Sequence, residues 1–364
     1  MNQGRGGAHL ESAGDVTAFH ARLAELLAAG ERLALCAVLR LVGSGPRRAG
    51  AKMLVREAGG SVGTVGGGLL EAKATAWARE VLQAGQALCR SFALDQKQAS
   101  DEGMTCGGVV EMLVEHLDGT SPAVRNFFGQ VLALLQHGER GWLATAIAQT
   151  GDAVTTGRFL CASGQCVVSV SAPGRTLPSD LLLSAPPAPI LVEREAVRYF
   201  LEPLAPPITV YVFGGGHIAA HLVPLCRLLG LRTVVVDDRA DFASRDRFPQ
   251  ADELLVVPSF DHALDGLPVA TESYIVIVTR GHGGDQAILR QALRCQPGYI
   301  GMIGSARKRR LIFDQLAAEG FTPEELARVA CPIGLPIAAE TPEEIAVSIA
   351  AQLVATRATK YGRS

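Results

Sequence analysis

Apolar positions in the first half of the chain follow more than one period. In VTAFHARLAELLAAG, Val16, Phe19, Leu23, Leu26 and Leu27 recur at helical spacing, and Gly30 closes the segment. The run LALCAVLRLVG is nearly continuous and predicts a buried strand. GSGPRRAGAKMLV then reads as a loop entering a second strand. GGSVGTVGGGLLEAKATAWAREVL predicts a strand, a glycine triplet and a helix with Leu70, Ala74, Trp77 and Val81 on its apolar face. Strands are expected around ALCRSFAL and GGVVEMLVEHL, followed by a helix over AVRNFFGQVLALLQHG and a hairpin over FLCASGQCVV. This half is α+β, without a regular βαβ repeat.

Further along, strand and helix alternate: ITVYVFG, HIAAHLVPLCRLLG, LRTVVVDD, SYIVIVT, DQAILRQAL, YIGMIGS, RKRRLIFDQLAAEG and TPEEIAVSIAAQLVATR. That order predicts an α/β fold, a Rossmann-like doubly wound parallel sheet. Between the halves, SAPGRTLPSDLLLSAPPAPI and LEPLAPP are rich in proline and alanine, as semi-rigid crossing segments are. The expected organisation is an N-terminal α+β domain over 1–170, a linker over 171–207 and a C-terminal Rossmann-like domain over 208–364.

Composition narrows the function classes. A chain of 364 residues can bury two cores, and 40 glycines with 48% hydrophobic residues suit an α/β protein built on tight turns. A formal net charge of -2 provides no basic field, which argues against a nucleic-acid partner. The start MNQGRGGAHLESAGD lacks the basic and apolar regions of a secretory signal. No apolar run reaches the roughly 18 residues of a membrane span. A cytoplasmic location is therefore expected, with the eight cysteines reduced and none in the paired spacing of a zinc site. Cys161 and Cys166 read as packed residues of the hairpin.

Several short motifs carry candidate chemistry. VFGGGHIA places Gly214, Gly216 and Ala219 in a G-x-G-x-x-A pattern between a strand and a helix, with His217 at the helix start. Asp237, at the end of the next strand, stands where an acid accepts hydrogen bonds from a ribose diol, so NAD(P) is the cofactor such a site would take. The same glycines serve helix packing without a nucleotide. In VTRGHGGDQAIL, His282 and Asp285 lie past a strand end, as a ligand site or as a loop contact and helix cap. In GMIGSARKRR, Ser305, Arg307, Lys308, Arg309 and Arg310 form either a phosphate site or a solvated basic face. In the first half, Gly66, Gly67 and Gly68 feed a helix that carries Glu71, and Arg47, Arg48 and Lys52 lie on or beside the upstream loop. Together these residues suit an anionic ligand. Cys106, beside Gly107 and Gly108 in DEGMTCGGVV, has no aliphatic neighbours to bury it. Its thiolate is a soft metal ligand or a sulfur carrier, with inert packing as the plain alternative.

In this order, GSGPRRAGAKMLV, GTVGGGLLE, DEGMTCGG, VFGGGHIA, VVVDDRADFASRDRFPQAD, YIVIVTRGHGGD, YIGMIGSARKR and CPIGLPIAAETPEEIAVSIAAQLVA resemble the XdhC/CoxI family. Its members are accessory and maturation proteins of xanthine and carbon monoxide dehydrogenases. The resemblance spans roughly residues 30 to 357. It implies a chaperone that binds molybdenum cofactor (molybdopterin) and protects it while a cysteine desulfurase supplies its sulfido ligand. The chaperone then delivers the cofactor to an apo xanthine dehydrogenase-type enzyme. Cys106 becomes a candidate molybdenum ligand or sulfur-handling thiol, and the glycine and basic loops become candidates for the pterin phosphate. Two other readings remain open: an NAD(P)-dependent oxidoreductase, and an adaptor without cofactor affinity of its own. A homodimer is expected in each case, since apolar strands of the first half need cover.

Overall fold

The structure is a computed structural model and describes residues 16–43, 48–93, 108–170, 176–182 and 188–360. The chain divides into two units, Met1–Pro206 and Pro207–Ser364.

The first unit runs α1 (Val16–Ala28), β1 (Arg32–Gly43), β2 (Lys52–Arg56), β3 (Ser61–Gly63), α2 (Gly68–Ala84), β4 (Leu88–Ala93), β5 (Gly108–Asp118) and α3 (Pro122–Gln136). It continues through β6 (Gly141–Thr150), β7 (Ala153–Ala162), β8 (Gln165–Val170), α4 (Ser179–Leu182), β9 (Ile190–Arg194) and β10 (Val197–Leu204). These strands make two five-stranded sheets, ordered β3-β2-β1-β5-β4 and β8-β7-β6-β10-β9. All their pairings are antiparallel.

The continuous apolar run of β1 follows from its position. Ala34, Cys36 and Val38 pack with Leu70, Ala74, Trp77 and Val81 of α2. Leu33 and Leu35, on the opposite face, pack with Leu23 and Leu27 of α1, Phe127 and Phe128 of α3, and Leu143 and Leu160 of the second sheet. Side chains alternate across a strand, so a strand covered on both faces needs apolar residues at every position. Each buried leucine contributes about 1.5–3 kcal/mol. α3 begins at Ser121, whose hydroxyl accepts from the Val124 N–H, with Pro122 where a helix tolerates a missing donor.

Composition misled about the segment 171–207. Its described part supplies β9 and β10, and β10 pairs with β6 from Val197–Ala148 to Leu204–Gly141. Pro203 lies beyond the last β9 pair, Leu201–Ile190, where β10 has become an edge. Edges are where sheets tolerate proline. The described residues 176–182 and 188–206 of the stretch therefore belong to the first unit and are not a linker. The expected hairpin is β7–β8, with Cys161 opposite Cys166. Only Cys161 is packed; Cys166 is exposed.

The second unit runs β11 (Thr209–Phe213), α5 (His217–Leu228), β12 (Arg232–Asp237), β13 (Glu253–Val256), β14 (Ser273–Ile277) and α6 (His282–Arg294). It ends with β15 (Tyr299–Met302), α7 (Ala306–Ala318), α8 (Pro323–Ala327), β16 (Val329–Ala330) and α9 (Pro342–Lys360). Its sheet is parallel throughout, in the order β13-β12-β11-β14-β15-β16. Connections reverse direction between β11 and β14, which is the Rossmann arrangement. One core joins α5 and α9 through Leu222, Val223, Ile349 and Leu353. The other joins α6 and α7 through Ile288, Leu289, Ile312 and Leu316. Among the described residues, no helix is long and apolar enough to cross a membrane.

Candidate functional site

In the second unit, the expected residues gather at the carboxyl ends of the strands. Gly214 leaves β11 with φ +104°, and a Cβ there would lie 2.6 Å from the Val278 carbonyl oxygen. Gly216 caps α5, and His217 is the first residue of that helix and is exposed. Asp237 ends β12 and is 1% exposed. Its Oδ2 accepts from the Gly215 N–H at 2.8 Å and from Arg239 Nη2 at 3.1 Å. Its Oδ1 accepts from the Arg239 N–H at 3.0 Å and from Arg239 Nε at 2.9 Å. Burial raises the Asp237 pKa, but these Arg239 and Gly215 bonds outweigh it and hold the carboxyl below its ordinary value.

Asp285, in the first turn of α6, is fully buried. Thr279 donates to its Oδ1 at 2.6 Å, and Lys308 of α7 donates to its Oδ2. Burial pushes this carboxyl up, against the pull of Lys308 and Thr279. Ser305 caps α7 by accepting from the Lys308 N–H at 3.3 Å. Asp285, Ser305 and Lys308 are thus brought together, and their contacts are mutual. Arg307, Arg309 and Arg310 are exposed, as a solvated basic face would be. His282 starts α6, and its side chain lies outside the described part of the structure.

In the first unit, Gly66, Gly67 and Gly68 all have positive φ, at +137°, +78° and +54°. The cradle they form is filled from within: Glu71 Oε1 accepts from the Gly67 N–H at 3.0 Å and from the Thr64 hydroxyl. A carboxylate at the start of α2 complements the unpaired amides there. Lys52 does not point from a ligand loop. Its Nζ pairs with Glu202 of β10 in the other sheet, and the two side chains are 14% and 6% exposed. Beside this pair, Arg158 of β7 meets Glu115 of β5 at 2.5 Å. Burial drives the Glu202 carboxyl up, while Lys52 opposes that shift. The same Lys52 charge, added to burial, pulls the His20 imidazole from 6.5 down to about 4.

Arg47, Cys106 and Gly107 lie outside the described residues. Their flanks are described: Gly43, the last residue of β1, is the cross-strand partner of Gly108, the first residue of β5. Among the described residues, no group of three or more histidine, cysteine, aspartate or glutamate side chains could hold a metal ion. Arg239, Thr279 and Cys331 carry no motif of their own in the sequence and stand out only in the structure. Cys331 follows β16 and is 7% exposed, with a thiol raised by burial against the pull of Arg309 and Lys308. In the sequence Cys331 stands at the head of CPIGLP.

Two family models match in chain order. The XdhC and CoxI family matches residues 26–93, and the XdhC Rossmann domain matches residues 210–353. A Bacillus subtilis protein, named as a probable subunit of xanthine dehydrogenase, is 25% identical over 345 residues, covering 93% of this chain and 97% of that protein. The Escherichia coli protein YqeB, named as uncharacterized, is 30% identical over 143 residues, 39% of this chain but only 26% of its own length. A crystal structure from Bacillus halodurans, named as a xanthine dehydrogenase, has a TM-score of 0.76 and 26% identity, covering 93% of this chain and 96% of that one. With a family model on each unit, the second of them specific to a Rossmann domain that the strand order independently shows, the chain belongs to the XdhC and CoxI family.

Proposed function

We propose that the protein is an accessory factor of a xanthine dehydrogenase-type enzyme that binds molybdenum cofactor, shelters it during sulfuration by a cysteine desulfurase, and hands it over. The observation that carries this reading is the end-to-end similarity, 93% of this chain against 97% of its relative, to a protein named for xanthine dehydrogenase. An accessory role without turnover of its own is part of the same proposal, and so is a homodimer.

The cofactor's place is the β1/β5 end of the first sheet. The cross-strand pairing of Gly43 with Gly108 supports it, because the segments carrying Arg47 and Cys106 both depart from that pair. Arg47 suits the pterin phosphate as a fork of donors. Cys106 suits molybdenum or sulfur as a soft thiolate, and Gly107 and Gly108 leave room for close approach. When bound, the cofactor supplies the molybdenum centre that the recipient enzyme uses. Elsewhere the chain's own carboxylates already fill the anion cradles: Glu71 at Gly67, and Asp285 at Lys308.

Anaerobic equilibrium binding of molybdenum cofactor to the purified protein and to Cys106→Ser tests the reading. Saturable binding is expected, weakened about tenfold or more in the variant, which corresponds to about 1.4 kcal/mol. Equal binding by both proteins removes Cys106 from the site. No binding by either folded protein, with complex formation to the enzyme retained, leaves the adaptor reading.

A further inference from the structure

We infer that the Rossmann unit does not take NAD(P), because the acid that would hold the adenosine ribose is locked into the fold. A carboxylate offers about four lone-pair sites. Asp237 receives four donors from its own chain, one from Gly215 and three from Arg239, and is 1% exposed. No acceptor is left for a ribose diol. Arg239 is equally committed. It stands just past the acid, near where an arginine would accommodate the 2′-phosphate of NADP, yet its guanidinium grips Asp237.

The lock closes on itself. Arg239 lies 3.4 Å from the ring centre of Phe242, and Arg247 lies 5.0 Å from the same ring. Arg247 Nε then donates to the Gly215 carbonyl at 2.7 Å, returning to the residue whose N–H binds Asp237. Gly215 is pressed so closely against this segment that a Cβ would sit 1.9 Å from the Phe242 carbonyl oxygen. Charge-assisted bonds are the strong class, and cation–π contacts on a partly buried ring add to them. A dinucleotide would have to break the circuit at Asp237 to be held there.

Two of the three fingerprint positions, Gly214 and Ala219, are accounted for by packing without a nucleotide, whereas Gly216 has φ -75° and nothing within 4 Å of a Cβ. Gly214 is needed where the turn passes the Val278 carbonyl, Gly215 where it meets Phe242, and Ala219, fully buried, where α5 packs on the sheet. At Gly214 and Ala219 the pattern that suggests a dinucleotide is also that of a tight turn, and the acid beside it is held by its own chain.

The test is titration of the full chain with NADH and with NADPH, followed by nicotinamide fluorescence, alongside the thermal midpoint of Asp237→Asn. We expect no saturable binding of either nucleotide up to roughly 1 mM. We also expect Asp237→Asn to lower the midpoint by about 5 °C or more, or to prevent folding altogether. Saturable binding by the wild-type chain with a dissociation constant below roughly 1 mM overturns the inference. So does a folded Asp237→Asn protein with an unchanged midpoint.

Discussion

The two units use buried charge in different places. In the first, Lys52–Glu202 and Arg158–Glu115 each join one sheet to the other through the interior. In the second, Asp237 and Asp285 stand at the carboxyl edge of the parallel sheet and tie loops and helix starts to one another. The first arrangement fixes how two sheets face each other. The second fixes the rim on which an open α/β sheet ordinarily carries its ligand. The cofactor site we propose is on the other unit, at the glycine pair that ends β1 and begins β5.

Breaking the inter-sheet charge should have the largest effect. Lys52→Met leaves Glu202 buried beside Glu115 without its cation, and should cost about 3–5 kcal/mol in denaturant unfolding. The double variant Lys52→Met, Glu202→Leu should recover most of that loss, since a well-packed apolar pair often replaces a buried ion pair without penalty. If Lys52→Met keeps full stability but loses cofactor affinity, Lys52 belongs to the ligand site and the contrast between the units is misdrawn.

A smaller effect tests the same interior through pH. His20 is held neutral by burial and by the Lys52 charge, with its pKa at about 4 against 6.5 when exposed. Between those values the unfolded chain binds the extra proton, so stability is intact above pH 6.5 and falls as the pH drops towards 4. The loss amounts to roughly 3 kcal/mol at most. His20→Leu should remove this slope between pH 6.5 and 5 in urea titrations at successive pH values. An unchanged slope would show that His20 does not titrate as the packing requires.

Legibility in the sequence followed burial geometry. The parallel sheet was readable because ITVYVFG, LRTVVVDD and SYIVIVT are apolar runs separated by helices at short spacing. β10 was not, because Pro203 and the prolines around it dominate the local composition, while its pairing with β6 is a long-range fact. Lys52 looked like a ligand residue because it follows a glycine loop, and its partner Glu202 lies far away in sequence. Glu71, Asp237 and Asp285 mark the deeper limit. An acid that fills a glycine turn and an acid that awaits a ligand occupy the same sequence position. Only the donors around it tell them apart, and for Asp237 those are Gly215 and Arg239.

Delivery of cofactor is tested most directly by mixing the protein, loaded anaerobically with sulfurated molybdenum cofactor, with an apo xanthine dehydrogenase-type enzyme, and following molybdenum acquired and hydroxylase activity gained. The loaded protein should activate the enzyme faster and more completely than the same amount of free cofactor. Activation no better than with free cofactor would contradict delivery.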